Sequence, residues 1–84
     1  MDRITRAANA FAHALADVLR SAREESGLSQ TELAAKAGLS QPHIGYLEKG
    51  QRGTSADSLK RIALALGTTA AELVRRAEAA PGKR

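Results

Sequence analysis

The chain has 84 residues, enough for one domain but not for a large core, so it must pack tightly or gain stability by associating. It has no cysteine, which excludes disulfides and thiolate metal sites, and no apolar run near the ~20 residues a membrane-spanning helix needs. Thirteen Lys and Arg against nine Asp and Glu give a net charge of +4, which favours a polyanionic partner, nucleic acid or an anionic surface.

Proline occurs only at 42 and 81, and no stretch alternates apolar and polar residues with β-branched enrichment, so the chain reads as all-α. The first predicted helix runs from about Arg3 to Ser26. Ile4, Ala8, Phe11, Leu15, Val18 and Ala22 recur at alternating steps of four and three and so share one face, and Gly27 ends the helix. Ala-x-Ala triplets near its start mimic a signal-peptide cleavage site, but Asn9, His13 and Asp17 interrupt the apolar stretch such a peptide needs.

Leu28 to Ala37 supplies a loop and a short second helix opened by a capping box, Ser29-Gln30-Thr31-Glu32. Gly38-Leu39-Ser40 is a tight turn. The third helix spans Gln41 to Lys49 and stops at Gly50. The stretch 50–54, GQRGT, is a basic connection. Ser55 caps a fourth helix with Asp57 in its first turn and Leu59, Ile62, Ala63 and Leu66 on its apolar face; Gly67 ends it. A second capping box, Thr69 to Glu72, opens a fifth helix whose Leu73, Val74 and Ala77 face inward. Pro81 to Arg84 reads as a disordered tail. The expected organisation is an extension of the first helix over 1–14, a helical domain over 15–80 and a tail over 81–84.

Ser29 to Gly50 carries the functional signal. Two short helices joined by one tight turn form a helix-turn-helix, whose second helix enters the DNA major groove. Leu33, Ala37, Leu39, Ile44 and Leu47 are expected in the core, with Ala34 where the two helices approach closely. With Ile44, Leu47 and Glu48 inward, Pro42, Gly45, Tyr46 and Lys49 share the outer stripe, and Gln41 leads it. Gln41 is the leading base reader, because its amide matches adenine N6 and N7. Pro42 suits a thymine methyl, Tyr46 a thymine methyl or a phosphate, and Gly45 either admits close approach or leaves a base unread. Phosphate contacts are expected from Gln30 at a helix N-terminus and from His43, Lys49, Gln51, Arg52, Arg20 and Lys36. An ordinary helical hairpin, with these residues as solvated surface, is the competing reading.

The phrases GLSQTELA, KAGLSQPHI, YLEKG and LKRIALALG, within about Leu15 to Ala77, resemble the lambda-repressor/Cro-like (XRE) helix-turn-helix family. The resemblance implies a compact five-helix DNA-binding domain acting as a symmetric homodimer on an inverted repeat. It implies base contacts from Gln41 and its neighbours, with Gln30 touching the DNA backbone and bracing Gln41. It also implies an ion pair between Arg23 and Glu48. Residues 1–14 extend the first helix beyond the family's usual start, and Pro42 and Gly45 depart from its usual base readers. A domain of this length is similar to restriction–modification controller proteins and to small phage or plasmid repressors.

Dimerisation would double the few base pairs one copy reads. Two surfaces offer it: Leu66, Ala70, Leu73, Val74 and Ala77 near the fifth helix, which is favoured, and Ile4, Ala8 and Phe11 of the N-terminal extension. Intramolecular core is the alternative use of both sets; in so short a chain some of these positions must be core, so a mixed role is expected. An enzyme is not expected: His13 and Asp17 sit four apart on one helix without a third ligand, nucleophile or phosphate loop, and read as a surface pair. No cofactor, metal, small-molecule ligand or membrane partner is expected, and the setting expected is cytoplasmic, on the nucleoid. The alternative function is an antitoxin or protein-interaction adaptor of the same fold.

Overall fold

A computed structural model describes residues 2–50 and 53–80. The expected contacts of Gln51 and Arg52 and the tail 81–84 lie outside the described residues. Among those residues there are five helices: α1 (Arg3–Glu25), α2 (Gln30–Ala37), α3 (Gln41–Glu48), α4 (Ala56–Ala65) and α5 (Ala70–Ala79).

Each helix begins where a short polar side chain takes up a free amide. Asp2, Ser29, Ser40, Ser55 and Thr69 accept from the N–H three residues on. At α2 the capping box is complete, since Glu32 Oε1 also accepts from the Ser29 N–H at 2.8 Å. At α5 the structure differs from the expected box: Glu72 turns its carboxylate to Arg75 and Arg76, each at 2.8 Å, because two charged donors lie one turn along its own helix face. Gly38 closes α2 in the left-handed region, φ +70°, letting the Leu39 N–H reach the Ala34 carbonyl at 2.9 Å.

The core is Leu15, Leu19 and Ala22 of α1, Leu33, Ala34 and Ala37 of α2, Ile44 and Leu47 of α3, Ile62 and Ala63 of α4, and Leu73 and Ala77 of α5. The helices meet as α1 on α5 and α3, α2 on α3 and α4, and α4 on α5. The buried stripe of α1 is Leu15, Ala16, Leu19 and Ala22, not the whole run from Ile4. Its 23 residues span roughly 34 Å, close to the 38 Å long axis of the molecule. The first turns run past the rest of the body, so residues 2–9 are all exposed, Ile4 at 72%.

Leu73 and Ala77, assigned to a dimer interface from sequence, are closed inside the monomer, 0% and 4% exposed. That assignment is corrected: α5 spends this stripe on α1, because a small chain has few other residues to complete its core. Leu66, Ala70 and Val74 remain half-buried.

Candidate nucleic-acid interface

The turn between α2 and α3 sets two helix N-termini side by side. Ser40 caps α3, and Pro42 occupies its first turn, where its missing N–H has no intrahelical role. Ile44 and Leu47 anchor α3 from below, 1% and 5% exposed, which turns Gln41, Pro42, Tyr46 and Lys49 to the surface. At its far end Gly50 (φ +71°) touches α1 so closely that a Cβ there would lie 3.2 Å from the side chains of Ala16 and His13. Only glycine satisfies both the backbone angle and the contact.

A chain of hydrogen bonds links α1, α2 and α3 beneath this surface. Arg23 donates from Nε to Glu48 Oε2 at 2.7 Å and from Nη2 to Glu48 Oε1 at 3.0 Å, a two-point pair whose side chains are 12% and 5% exposed. Its Nη1 donates to the Leu28 carbonyl at 2.8 Å. Hydrogen bonding to Glu48, foremost, raises the Arg23 pKa above its ordinary value against the opposing effect of burial. Gln30 Nε2 donates to Glu48 Oε1 at 3.0 Å, and Gln41 Nε2 donates to Gln30 Oε1 at 2.8 Å.

The order of this chain fixes both amides. A carboxylate only accepts, so Gln30 must turn its NH2 to Glu48 and its oxygen to Gln41. Gln41 must then turn its own NH2 inward. Its Oε1 and second N–H are left for another partner, one acceptor beside one donor. Gly45 lies one turn along α3 under this pair; a Cβ there would sit 3.3 Å from Gln30 Oε1 and 3.5 Å from Gln41 Nε2.

Arg20, Gln30, Gln41, Pro42, Gly45, Tyr46 and Lys49 line one shallow concavity over the Arg23–Glu48 pair. The structure thus brings together the four residues expected at bases and three of those expected at phosphates. His43 is half-buried and does not line it. Lys36 is exposed in the last turn of α2, at the end opposite Gln30, and does not line it either. Arg20 also pairs with Asp17 at 3.4 Å.

Two features escaped the sequence reading. The place of Gly45 against the glutamine pair was not read from the sequence: its missing side chain makes room for Gln30 and Gln41, and a small residue four positions after Gln41 was the available signal. Arg61 was not singled out. It pairs with Asp57 at 2.9 Å and donates to the Ala37 carbonyl at 3.4 Å, placing a cation at the negative end of α2.

Elsewhere, the His13 ring nitrogen Nδ1 lies 2.9 Å from the Asn9 carbonyl. Among the described residues no three His, Cys, Asp or Glu side chains gather to hold a metal ion. None of the described helices is long and apolar enough to cross a membrane.

Two helices at this turn, with the second anchored below and bare above, define a helix-turn-helix DNA-binding domain. The helix-turn-helix family model matches residues 19–73, more than half of the chain. The chain belongs to this family, of the XRE or lambda-repressor/Cro-like type, and the relatives it matches are named as HTH-type transcriptional regulators. It is similar to an uncharacterised HTH-type transcriptional regulator of Sinorhizobium fredii, 42% identical over 52 residues, 62% of this chain and 68% of that one. Of solved structures, it resembles the clp gene regulator ClgR of Corynebacterium glutamicum at 31% identity and a TM-score of 0.75, covering 81% of this chain and 72% of that one. It also resembles the restriction-modification controller protein C.AhdI of Aeromonas hydrophila at 35% identity and a TM-score of 0.71, covering 74% and 94%. The chain spans less than half the length of some other curated relatives.

Proposed function

We propose that this chain is a sequence-specific regulator of transcription that lays α3 in the major groove of double-stranded DNA and binds an inverted repeat as a homodimer. The observation that carries the reading is the oriented amide of Gln41. Its outward acceptor and donor match adenine, which presents an N6 donor beside an N7 acceptor. Bound to the Arg23–Glu48–Gln30 chain, the amide reaches DNA with little rotamer freedom left to lose. Pro42 and Tyr46 flank it with apolar surface suited to thymine methyls.

Phosphates would be held on either side. Lys49 and Arg20 border the concavity. At α2 the capping box satisfies the Ser29 and Glu32 amides, leaving those of Gln30 and Thr31 to donate to a phosphate. Arg52 and Gln51, outside the described residues, follow α3 in sequence and suit the backbone beyond the groove. Residues 15–80 form the reading domain and 1–14 its extension. The surface left beside α4 and α5, Leu66, Ala70 and Val74, is the expected contact between copies that read two half-sites about 34 Å apart.

The test is selection of bound sequences from a random duplex pool with the purified chain at near-physiological salt. An enriched inverted repeat with adenine at a fixed place in each half-site is the expected result. Salt-sensitive binding with no enriched sequence would reject the base-reading assignment, since phosphate contacts alone give affinity without preference.

A further inference from the structure

The part of the molecule the DNA-reading surface leaves unused is the first half of α1. Its protruding turns are exposed, yet they carry a regular apolar pattern. Ile4, Ala7, Phe11, Ala14, Val18 and Ser21 alternate by three and four, a repeat of 3.5 residues that keeps one seam facing a neighbouring helix along its whole length. This seam runs beside the core stripe at Leu15, Leu19 and Ala22: Phe11, Ala14 and Val18 touch the core along one edge and stay half-exposed along the other, while Ile4, Ala7 and Ser21 are exposed. It opens onto a groove between α1 and α5, lined by Ala7, Phe11, Ala14 and Val18 together with the charged Arg76 and Glu78 of α5 and Asp17 and Glu25 of α1.

The pattern alternates in size as well as spacing: Ile4, Phe11 and Val18 are large, and Ala7, Ala14 and Ser21 are small. Two such helices laid antiparallel have one register in which every layer joins a large residue to a small one. Ile4 meets Ser21 of the other copy, Ala7 meets Val18, and Phe11 meets Ala14, each layer occurring twice by symmetry. Small residues opposite large ones let two helices close to about 8–10 Å without voids.

Charge agrees with the same register. Arg3 flanks one end of the seam and has no ion pair among the described residues. Glu24 flanks the other end, 62% exposed and only 3.9 Å from Arg23 as its nearest cation. In the antiparallel register Arg3 of each copy falls beside Glu24 of the other. A seam complementary to itself in both size and charge matches a second copy of this chain.

We infer that α1 is a self-association surface: two copies pair their α1 helices antiparallel, the protruding turns of each filling the α1–α5 groove of the other. It goes beyond the DNA reading, is separate from the surface at Leu66, Ala70 and Val74, and is tested without DNA.

The experiment is sedimentation equilibrium of the full chain over a range of concentrations, wild type against variants. Ile4→Glu with Ala7→Glu changes only exposed positions, so thermal melting should confirm an intact fold while self-association weakens at least tenfold. Arg3→Glu should weaken it at least about threefold to tenfold, since it removes two exposed ion pairs and sets a like charge against each Glu24. Adding Glu24→Arg should restore it. A fall from tetramer to dimer or from dimer to monomer in the Ile4 and Ala7 variant supports the inference equally. A wild-type chain that stays monomeric, a double variant that associates unchanged, or a charge reversal that Glu24→Arg fails to rescue would overturn it. Loss of sequence selection with association intact would strike the DNA reading alone.

Discussion

Replacing Arg23 by Ala would strip Glu48 of its two-point partner while leaving the carboxylate 5% exposed. Burial makes a lone carboxylate expensive, and breaking one side of a buried pair costs about 3–5 kcal/mol. Glu48 keeps one donor, Gln30 Nε2 at 3.0 Å, which argues for the lower end, about 3 kcal/mol. The Leu28 carbonyl loses its donor as well. For a domain of this size such a loss lowers Tm by about 12–24 °C. Urea unfolding followed by circular dichroism gives the number directly. The companion variant, Arg23→Met with Glu48→Met, separates fold from function. Removing both charges should recover most of the stability, because a well-packed apolar pair roughly matches a buried ion pair. It should still lose base preference, because Gln30 no longer has an anchor to orient Gln41. A single Arg23→Ala change costing less than about 1 kcal/mol would refute the buried-pair argument. Full base preference in the double variant would refute the positioning argument.

Gln41→Ala should weaken binding to a selected site by about 1–3 kcal/mol and leave binding to random DNA nearly intact, read by competition titration; equal losses on both would make Gln41 a backbone contact. Gly45→Ala should raise helix stability by about 0.5–1 kcal/mol, yet its new Cβ, 3.3 Å from Gln30 Oε1, should disturb the glutamine pair and blunt base preference. Melting and binding measured on one sample would show whether the two effects part in this way. Lys49→Ala should weaken all duplexes alike and reduce the salt slope of binding by about one unit; an unchanged slope would remove Lys49 from the phosphate contacts. Glu72 is held down to about 2 by hydrogen bonds from Arg75 and Arg76. Its folded value lies below the ordinary one, so its contribution is present above about pH 4.5 and fades as pH falls toward 2. Glu72→Gln should therefore reduce stability at pH 6 and flatten the acid limb of the curve; an acid limb identical to wild type would contradict the assignment.

Local chemistry made the helices legible. A capping side chain before each, and a glycine at the close of α2, act within one turn of chain, so sequence spacing alone locates Ser29, Ser40, Ser55, Thr69 and Gly38. The motif and its outer face followed from the same spacing, because Ile44 and Leu47 leave Gln41, Pro42 and Tyr46 no side but the outside. The pairing of Arg23 with Glu48 came from family likeness, since nothing local joins residues on different helices.

What depends on neighbours was decided only by the tertiary structure. The Ile4-to-Ala22 stripe looked continuous, yet full burial starts at Leu15: Phe11 and Ala14 pack against the core on one side only, and residues 2–9 run past it. Leu73 and Ala77 carried the same pattern as an interface and became core, because α1 covers them. Thr69 and Glu72 spelled a capping box, but Glu72 had nearer charged partners in Arg75 and Arg76. The sequence put Gly45 on the outer face, and only the fold showed the amides of Gln30 and Gln41 lying against it. Periodicity fixes which side of a helix a residue occupies; what lies against that side depends on helices distant in sequence, and only packing brings those together.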